Sequence, residues 1–178
     1  MMRYVALLRG INVGGRNLVA MADLKAMTAS LGLRHPETLL QSGNLVFDAP
    51  AQPTAGLEAQ LEAAANARFG IPIDFMVRMA PEWQMAIDAN PFPREAADDP
   101  ARLVLLLLKA TASPDRFESL QQAIVGRERV VGAGTHAWAV YPDGQGTSKL
   151  TTAVLDRRLG TSVTARNWNT VLKLAARL

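Results

Sequence analysis

Arg102-Leu-Val-Leu-Leu-Leu-Leu-Lys109 is a run of six aliphatic residues closed by a cation at each end. A segment apolar at every position has no solvent face, so it reads as a strand buried on both sides and central in its sheet. Downstream, Ser113-Pro114 opens a helix with Phe117, Leu120 and Ile124 facing inward. Arg127 to Gly132 and His136 to Tyr141 flank Ala133-Gly134-Thr135 and predict a hairpin. Thr147 or Ser148 is the expected cap of a helix that buries Leu150, Val154 and Leu155 and stops at Gly160. A short strand over Ser162 to Arg166 leads to a last helix with Trp168, Val171, Leu172 and Ala175 on one side. The order is β-α-β-β-α-β plus a terminal helix, that of a ferredoxin-like fold.

Upstream, the stretch from Asn90 to Pro100 holds three prolines and predicts a joint between two halves. The expected division is an N-terminal α+β subdomain over 1–90, a proline-rich linker over 91–101 and a ferredoxin-like subdomain over 102–178. In the first half, Arg3 to Arg9 predicts a buried strand. Met21, Leu24, Thr28 and Leu31 recur at helical spacing before Gly32. Thr38 to Phe47 predicts one strand, bulged or bent at Ser42-Gly43-Asn44. Pro53 to Phe69 predicts a helix capped by Gly70, Ile71 to Met79 a strand, and Pro81 the start of a short helix. The fold class expected is α+β: two ferredoxin-like subdomains in tandem, with mixed or antiparallel sheets and helices packed on them.

With 178 residues, 49% of them hydrophobic, the chain has the material for a substantial core. No apolar run approaches the roughly 20 residues of a membrane helix, and Tyr4 to Leu8 is too short for the core of a signal peptide. A cytoplasmic protein with no membrane partner is expected. The absence of cysteine excludes disulfides, thiol nucleophiles and zinc–thiolate sites. The two histidines, His35 and His136, are too few for most all-histidine metal sites, and no metal site is expected. Charge is uneven along the chain: 5 − 3 = +2 over residues 1–50, 3 − 8 = −5 over 51–100 and 11 − 5 = +6 over 101–178. Basic ends around an acidic middle point to an anionic partner, or to solvated Arg on helix faces.

Three polar segments carry candidate chemistry. Arg9 and Gly10-Ile-Asn-Val-Gly-Gly-Arg-Asn17 place glycines, amides and two cations after a buried strand. The spacing of Gly10, Gly15 and Arg16 is one substitution class from the phosphate loop G-x-x-x-x-G-K followed by Ser or Thr. Asn17 lacks that hydroxyl, however, and the helix begins only near Met21. Tyr141 to Leu150 sets Thr147, Ser148 and Lys149 at a predicted helix N-terminus, where anions are attracted. Arg166, Asn167 and Asn169 bracket Trp168, and Arg is the residue for bidentate recognition of phosphate or carboxylate. No Ser sits in a G-x-S-x-G setting and neither His has a nearby partner in sequence, so no catalytic residue is assigned.

Leu7-Leu-Arg-Gly-Ile-Asn-Val-Gly-Gly-Arg-Asn17, Gln41-Ser-Gly-Asn44, Asn90-Pro-Phe92, Gly146-x-Ser-Lys-Leu150 and Thr164-x-Arg-Asn-Trp-Asn-Thr170 together resemble the bacterial domain-of-unknown-function family 1697. The resemblance implies two ferredoxin-like subdomains and brings no established activity, cofactor or catalytic residue. Arg16 stands where that family more often has Lys.

The candidate ligand-binding set is therefore Arg9, Gly10, Asn12, Gly14, Gly15, Arg16, Asn17, Ser42, Asn44, Ser148, Lys149, Arg166, Asn167 and Asn169, expected to converge on one cleft between the subdomains. The reading favoured is a protein that binds a small anionic ligand, phosphorylated or nucleotide-like. The alternatives are nucleic-acid binding, an enzyme acting on a phosphorylated substrate, and structural motifs with no ligand. The strands lack the aromatic-rich pattern of RNA-binding sheets, and the residues name no cofactor.

Overall fold

The computed structural model describes residues 1–178. The chain divides into two units, Met1–Met85 with Leu174–Leu178, and Ala86–Lys173. It passes from the first to the second inside helix α3 (Ala80–Asp88) and returns inside helix α7 (Trp168–Ala175).

The first unit begins with β1 (Met2–Leu8), followed by α1 (Met21–Ser30), β2 (Arg34–Leu39), β3 (Asn44–Ala49), α2 (Thr54–Phe69) and β4 (Phe75–Met79). All pairings are antiparallel, in the order β2-β3-β1-β4, the ferredoxin-like arrangement. One face of this sheet presents Tyr4, Ala6 and Leu8 beside Phe47 and Val77, and the apolar sides of α1 (Leu24, Met27) and α2 (Leu57, Leu61, Ala65) close over it. Tyr4 and Phe47 stack with ring centroids 5.6 Å apart. The helix α2 ends at Gly70, whose φ of 66° is the left-handed cap expected there.

The expected single strand over Thr38 to Phe47 is instead a hairpin, β2 and β3 joined by the turn 40–43. Leu40 (φ 61°) and Gly43 (φ 81°) reverse the chain, and the Asn44 amide donates to the Leu39 carbonyl at 2.7 Å across the turn. The first arm of this hairpin is weak in β signal because Pro36 interrupts it and His35 has a φ of 48°. The register with β3 accordingly shifts between Arg34 and Glu37.

In the second unit, α4 (Pro93–Asp98) precedes β5 (Leu103–Ala112), α5 (Pro114–Ala123), β6 (Arg129–Val140), α6 (Thr152–Leu159) and β7 (Val163–Asn167). The aliphatic strand β5 is central, with β6 and β7 antiparallel on either side. Phe117 and Leu120 of α5 and Leu155 and Leu159 of α6 pack on the face bearing Val104, Leu106, Leu108 and Ala137. The expected hairpin around Ala133-Gly134-Thr135 is one continuous strand. Gly134 (φ 64°) makes a bulge within β6, and the register with β5 shifts between Leu107 and Ala112. The order β6-β5-β7 therefore repeats β3-β1-β4 of the first unit, with no counterpart of β2. The proline-rich stretch read as a joint lies inside this unit, because Pro93 starts α4 and is a favoured first residue of a helix.

The α+β class holds: two antiparallel sheets, of four and three strands, each carry packed helices. No helix is long and apolar enough to cross a membrane.

Candidate functional site

Nine of the fourteen candidate residues fall in the first unit. The chain leaves β1 with the Arg9 N–H donating to Asp74 O at 3.0 Å, and the Arg9 guanidinium lies 3.8 Å from the Asp74 carboxylate. It then forms a miniature hairpin. Val13 and Arg16 pair across Gly14 (φ 56°) and Gly15 (φ 73°), two consecutive left-handed residues that make a type I′ turn. Asn17 closes the hairpin: its side chain donates to Gly10 O at 3.0 Å and its carbonyl accepts from Asn12 N–H at 3.1 Å. Asn12 ties the hairpin to the rest of the unit. Its amide donates to Val19 O (2.9 Å) and Gln41 O (2.7 Å), and its side-chain oxygen accepts from Val19 N–H (2.9 Å). In the neighbouring turn the amide of the buried Asn44 donates to the hydroxyl of the exposed Ser42 at 3.1 Å.

These amides and glycines frame two cross-tied turns. The departure from a phosphate loop is larger than Asn17 alone suggested: Gly14 and Gly15 serve the I′ turn, and α1 begins five residues after Arg16. Arg16 itself is exposed and makes no ion pair.

The other five candidates lie in the second unit. Ser148 does not cap α6, nor does Thr147. The cap is Thr151, whose hydroxyl accepts from Val154 N–H at 3.4 Å, so the helix starts later than the sequence suggested. Thr147 donates to Asp143 O at 3.0 Å, while Ser148 accepts from Leu150 N–H at 3.0 Å and donates to Glu128. Tyr141 donates to Leu150 O at 3.1 Å. Burial, reinforced by the charge of Glu128, pushes the Tyr141 phenol up to about 12.

Lys149 opens onto a cavity of about 190 Å³ between the end of α5 and the side of α6. Its walls carry Lys149, Arg157, Arg158 and Glu128 as charged groups, with Ile124, Val125, Leu150 and Val154 as apolar ones. None of the three cations makes an ion pair. A more open depression continues past Arg157 and Arg158 to Arg116 and Ser119. The Arg116 guanidinium donates to Arg158 O at 3.4 Å, over the C-terminal turn of α6, where a cation complements the helix dipole.

Arg157 and Arg158 were visible in the sequence only as part of its basic balance. Their spacing from Val154, three and four residues on, is the signal that puts all three on one side of a helix.

Arg166 lies in β7, buried, donating to Thr164 Oγ1 at 2.9 Å and Ala165 O at 2.8 Å. Burial brings its guanidinium down to about 10, still cationic at neutral pH. Asn167 caps α7, accepting from Thr170 N–H at 3.1 Å, and Asn169 is exposed in the first turn of that helix. No group of three or more His, Asp or Glu side chains is placed to hold a metal ion.

The folded units redistribute the charge. The second holds eleven Lys and Arg against nine Asp and Glu (+2), and the first holds eight against seven (+1), because the acidic residues 86–100 fold into the otherwise basic second unit.

No curated protein compared with the chain matches it in sequence. Among solved structures, the chain is similar to the conserved bacterial protein SP0830 from Streptococcus pneumoniae. The TM-score is 0.76 and the identity 25%, over 98% of this chain and 97% of that one. Residues 1–138 match the protein family of unknown function DUF1697, and the chain belongs to that family.

Proposed function

We propose that this protein binds a small anionic ligand, phosphorylated or nucleotide-like, in its second unit, with Lys149, Arg157 and Arg158 as the groups that hold it. The observation that carries this reading is the 190 Å³ cavity whose walls combine those three cations with one carboxylate, Glu128. The three cations make no ion pairs and outnumber the single carboxylate, Glu128, which accepts from Ser148 and keeps its charge. A concave site surrounds a small ligand, whereas a duplex or a long strand needs an extended basic face. The net charge of +2 on the second unit favours the small ligand.

Thermal unfolding against a panel of inorganic phosphate, pyrophosphate, sugar phosphates and nucleotides, with and without Mg²⁺, tests it. A ligand at 100 times its Kd adds about 2.7 kcal/mol, or about 5 to 10 °C for a chain of this size. The shift disappears in Lys149→Ala or Arg157→Ala protein. A flat panel refutes the proposal.

A further inference from the structure

Half of the cavity wall has nothing to offer a bare anion. Beside Lys149, Arg157 and Arg158 the lining carries Ile124, Val125, Leu150 and Val154. Val125, immediately beyond α5, is 84% exposed, the most exposed large aliphatic residue of the chain. A phosphate held by cations gains nothing from these side chains, while an aliphatic group beside it covers them and leaves water. No aromatic ring lines the cavity, so a nucleobase has no stacking platform there. Its volume of about 190 Å³ is that of roughly six water molecules, room for an anionic headgroup and about four carbons.

Resting on the anion-binding reading above, we infer that the ligand is an amphiphilic anion: a phosphate or carboxylate on a short aliphatic chain, with the headgroup at Lys149, Arg157 and Arg158 and the chain against Val125 and Val154. A free alkyl or acyl phosphate has this chemistry, and so does the charged end of an anionic lipid. The small volume, about 190 Å³, selects the free molecule.

Calorimetric titration of the full-length protein with inorganic phosphate, n-butyl phosphate and n-butanol separates the possibilities, alongside sedimentation with vesicles of equal parts phosphatidylcholine and phosphatidylglycerol. Each methylene buried is worth about fourfold in affinity. Partial burial of the chain therefore makes butyl phosphate at least tenfold tighter than phosphate, and butanol alone does not saturate. In Val125→Ser protein the ratio of the two affinities falls toward one. Equal affinities for phosphate and butyl phosphate, or an unchanged ratio in Val125→Ser, overturn the amphiphilic ligand and leave the anion site standing. No binding of either phosphate overturns both. Sedimentation with the vesicles without saturable binding of butyl phosphate overturns the free ligand in favour of a membrane surface.

Discussion

The side-chain amide of Asn12 donates to the backbone carbonyl of Gln41 at 2.7 Å, joining two loops twenty-nine residues apart in sequence. With its two bonds to Val19, it gives one side chain three backbone partners. Substituting Asn12 by Ala removes all three and leaves a residue with a Cβ at a φ of 54°. At about 1 kcal/mol per hydrogen bond, the loss is about 2 to 3 kcal/mol. Urea unfolding reads it directly; a loss below about 0.5 kcal/mol would mean that the two turns hold their shape independently.

Gly43 and Gly14 are both left-handed, yet they differ in what surrounds them. A Cβ on Gly43 meets Leu8 Cβ at 2.7 Å and Ile11 Cδ1 at 2.8 Å, while one on Gly14 meets nothing within 4 Å. Gly14→Ala carries only the left-handed penalty, about 1 kcal/mol. Gly43→Ala adds overpacking against β1 and reaches about 3 kcal/mol. Equal losses in the two variants would refute the close approach.

Leu40 is 52% exposed and left-handed (φ 61°), a conformation that costs a side chain with a Cβ about 1 kcal/mol. Glycine removes that strain, so Leu40→Gly leaves stability unchanged or raises it by up to about 1 kcal/mol. A clear loss in chemical denaturation would show that the exposed isobutyl group packs more firmly than its exposure indicates.

The first unit loses stability in acid, and the cause lies in one network. Arg3 donates to Glu37 at 2.5 Å and to Asp48 at 3.3 Å, His35 Nδ1 lies 2.8 Å from Asp48, and Arg177 donates to Glu37 at 3.0 Å. The hydrogen bond from Arg3 is the main reason Glu37 lies below its ordinary 4.5. At Asp48 burial pushes upward, but the bonds from His35 and Arg3 outweigh it and hold the carboxyl below 3.8. A carboxylate depressed in the folded state stabilises fully above its unfolded pKa and loses that contribution as pH falls through the folded value. The decline therefore begins near pH 4.5 and deepens below pH 3.8. Arg3→Met flattens this acid limb in unfolding measured at pH 7, 4 and 3. An unchanged slope would place the acid sensitivity elsewhere.

Periodicity carried most of the fold. The continuous aliphatic run of β5 announced a central strand, and the glycines at 70 and 160 stop α2 and α6 as expected, both left-handed. The errors came at reversals. Ser42-Gly43-Asn44 closes a hairpin that the sequence hides, because its first arm holds His35 and Pro36 and pairs irregularly. Ala133-Gly134-Thr135 shows the opposite failure: the same kind of signal that marks a turn also marks a bulge, and only pairing with β5 decides between them.

The candidate site was legible in part. Lys149 was found because it is charged and follows a glycine-rich loop. The amides at 12, 17, 44 and 167 were found as polar motifs, yet they bond backbone, a role that hydrogen-bond geometry shows and composition cannot. Arg157 and Arg158 escaped because two adjacent arginines on a helix resemble any solvated face until α5 is seen beside them.

The second unit is inserted between residues 85 and 174, and this sets the timetable of synthesis. Glu37 and Arg3 leave the ribosome early, whereas Arg177, the second guanidinium on Glu37, emerges only after all of residues 86–173. At ordinary translation rates that interval is roughly 5 to 20 s. The nascent first unit spends it with a single guanidinium on Glu37, and acquires its finished charge arrangement only after the unit encoded inside it has been made.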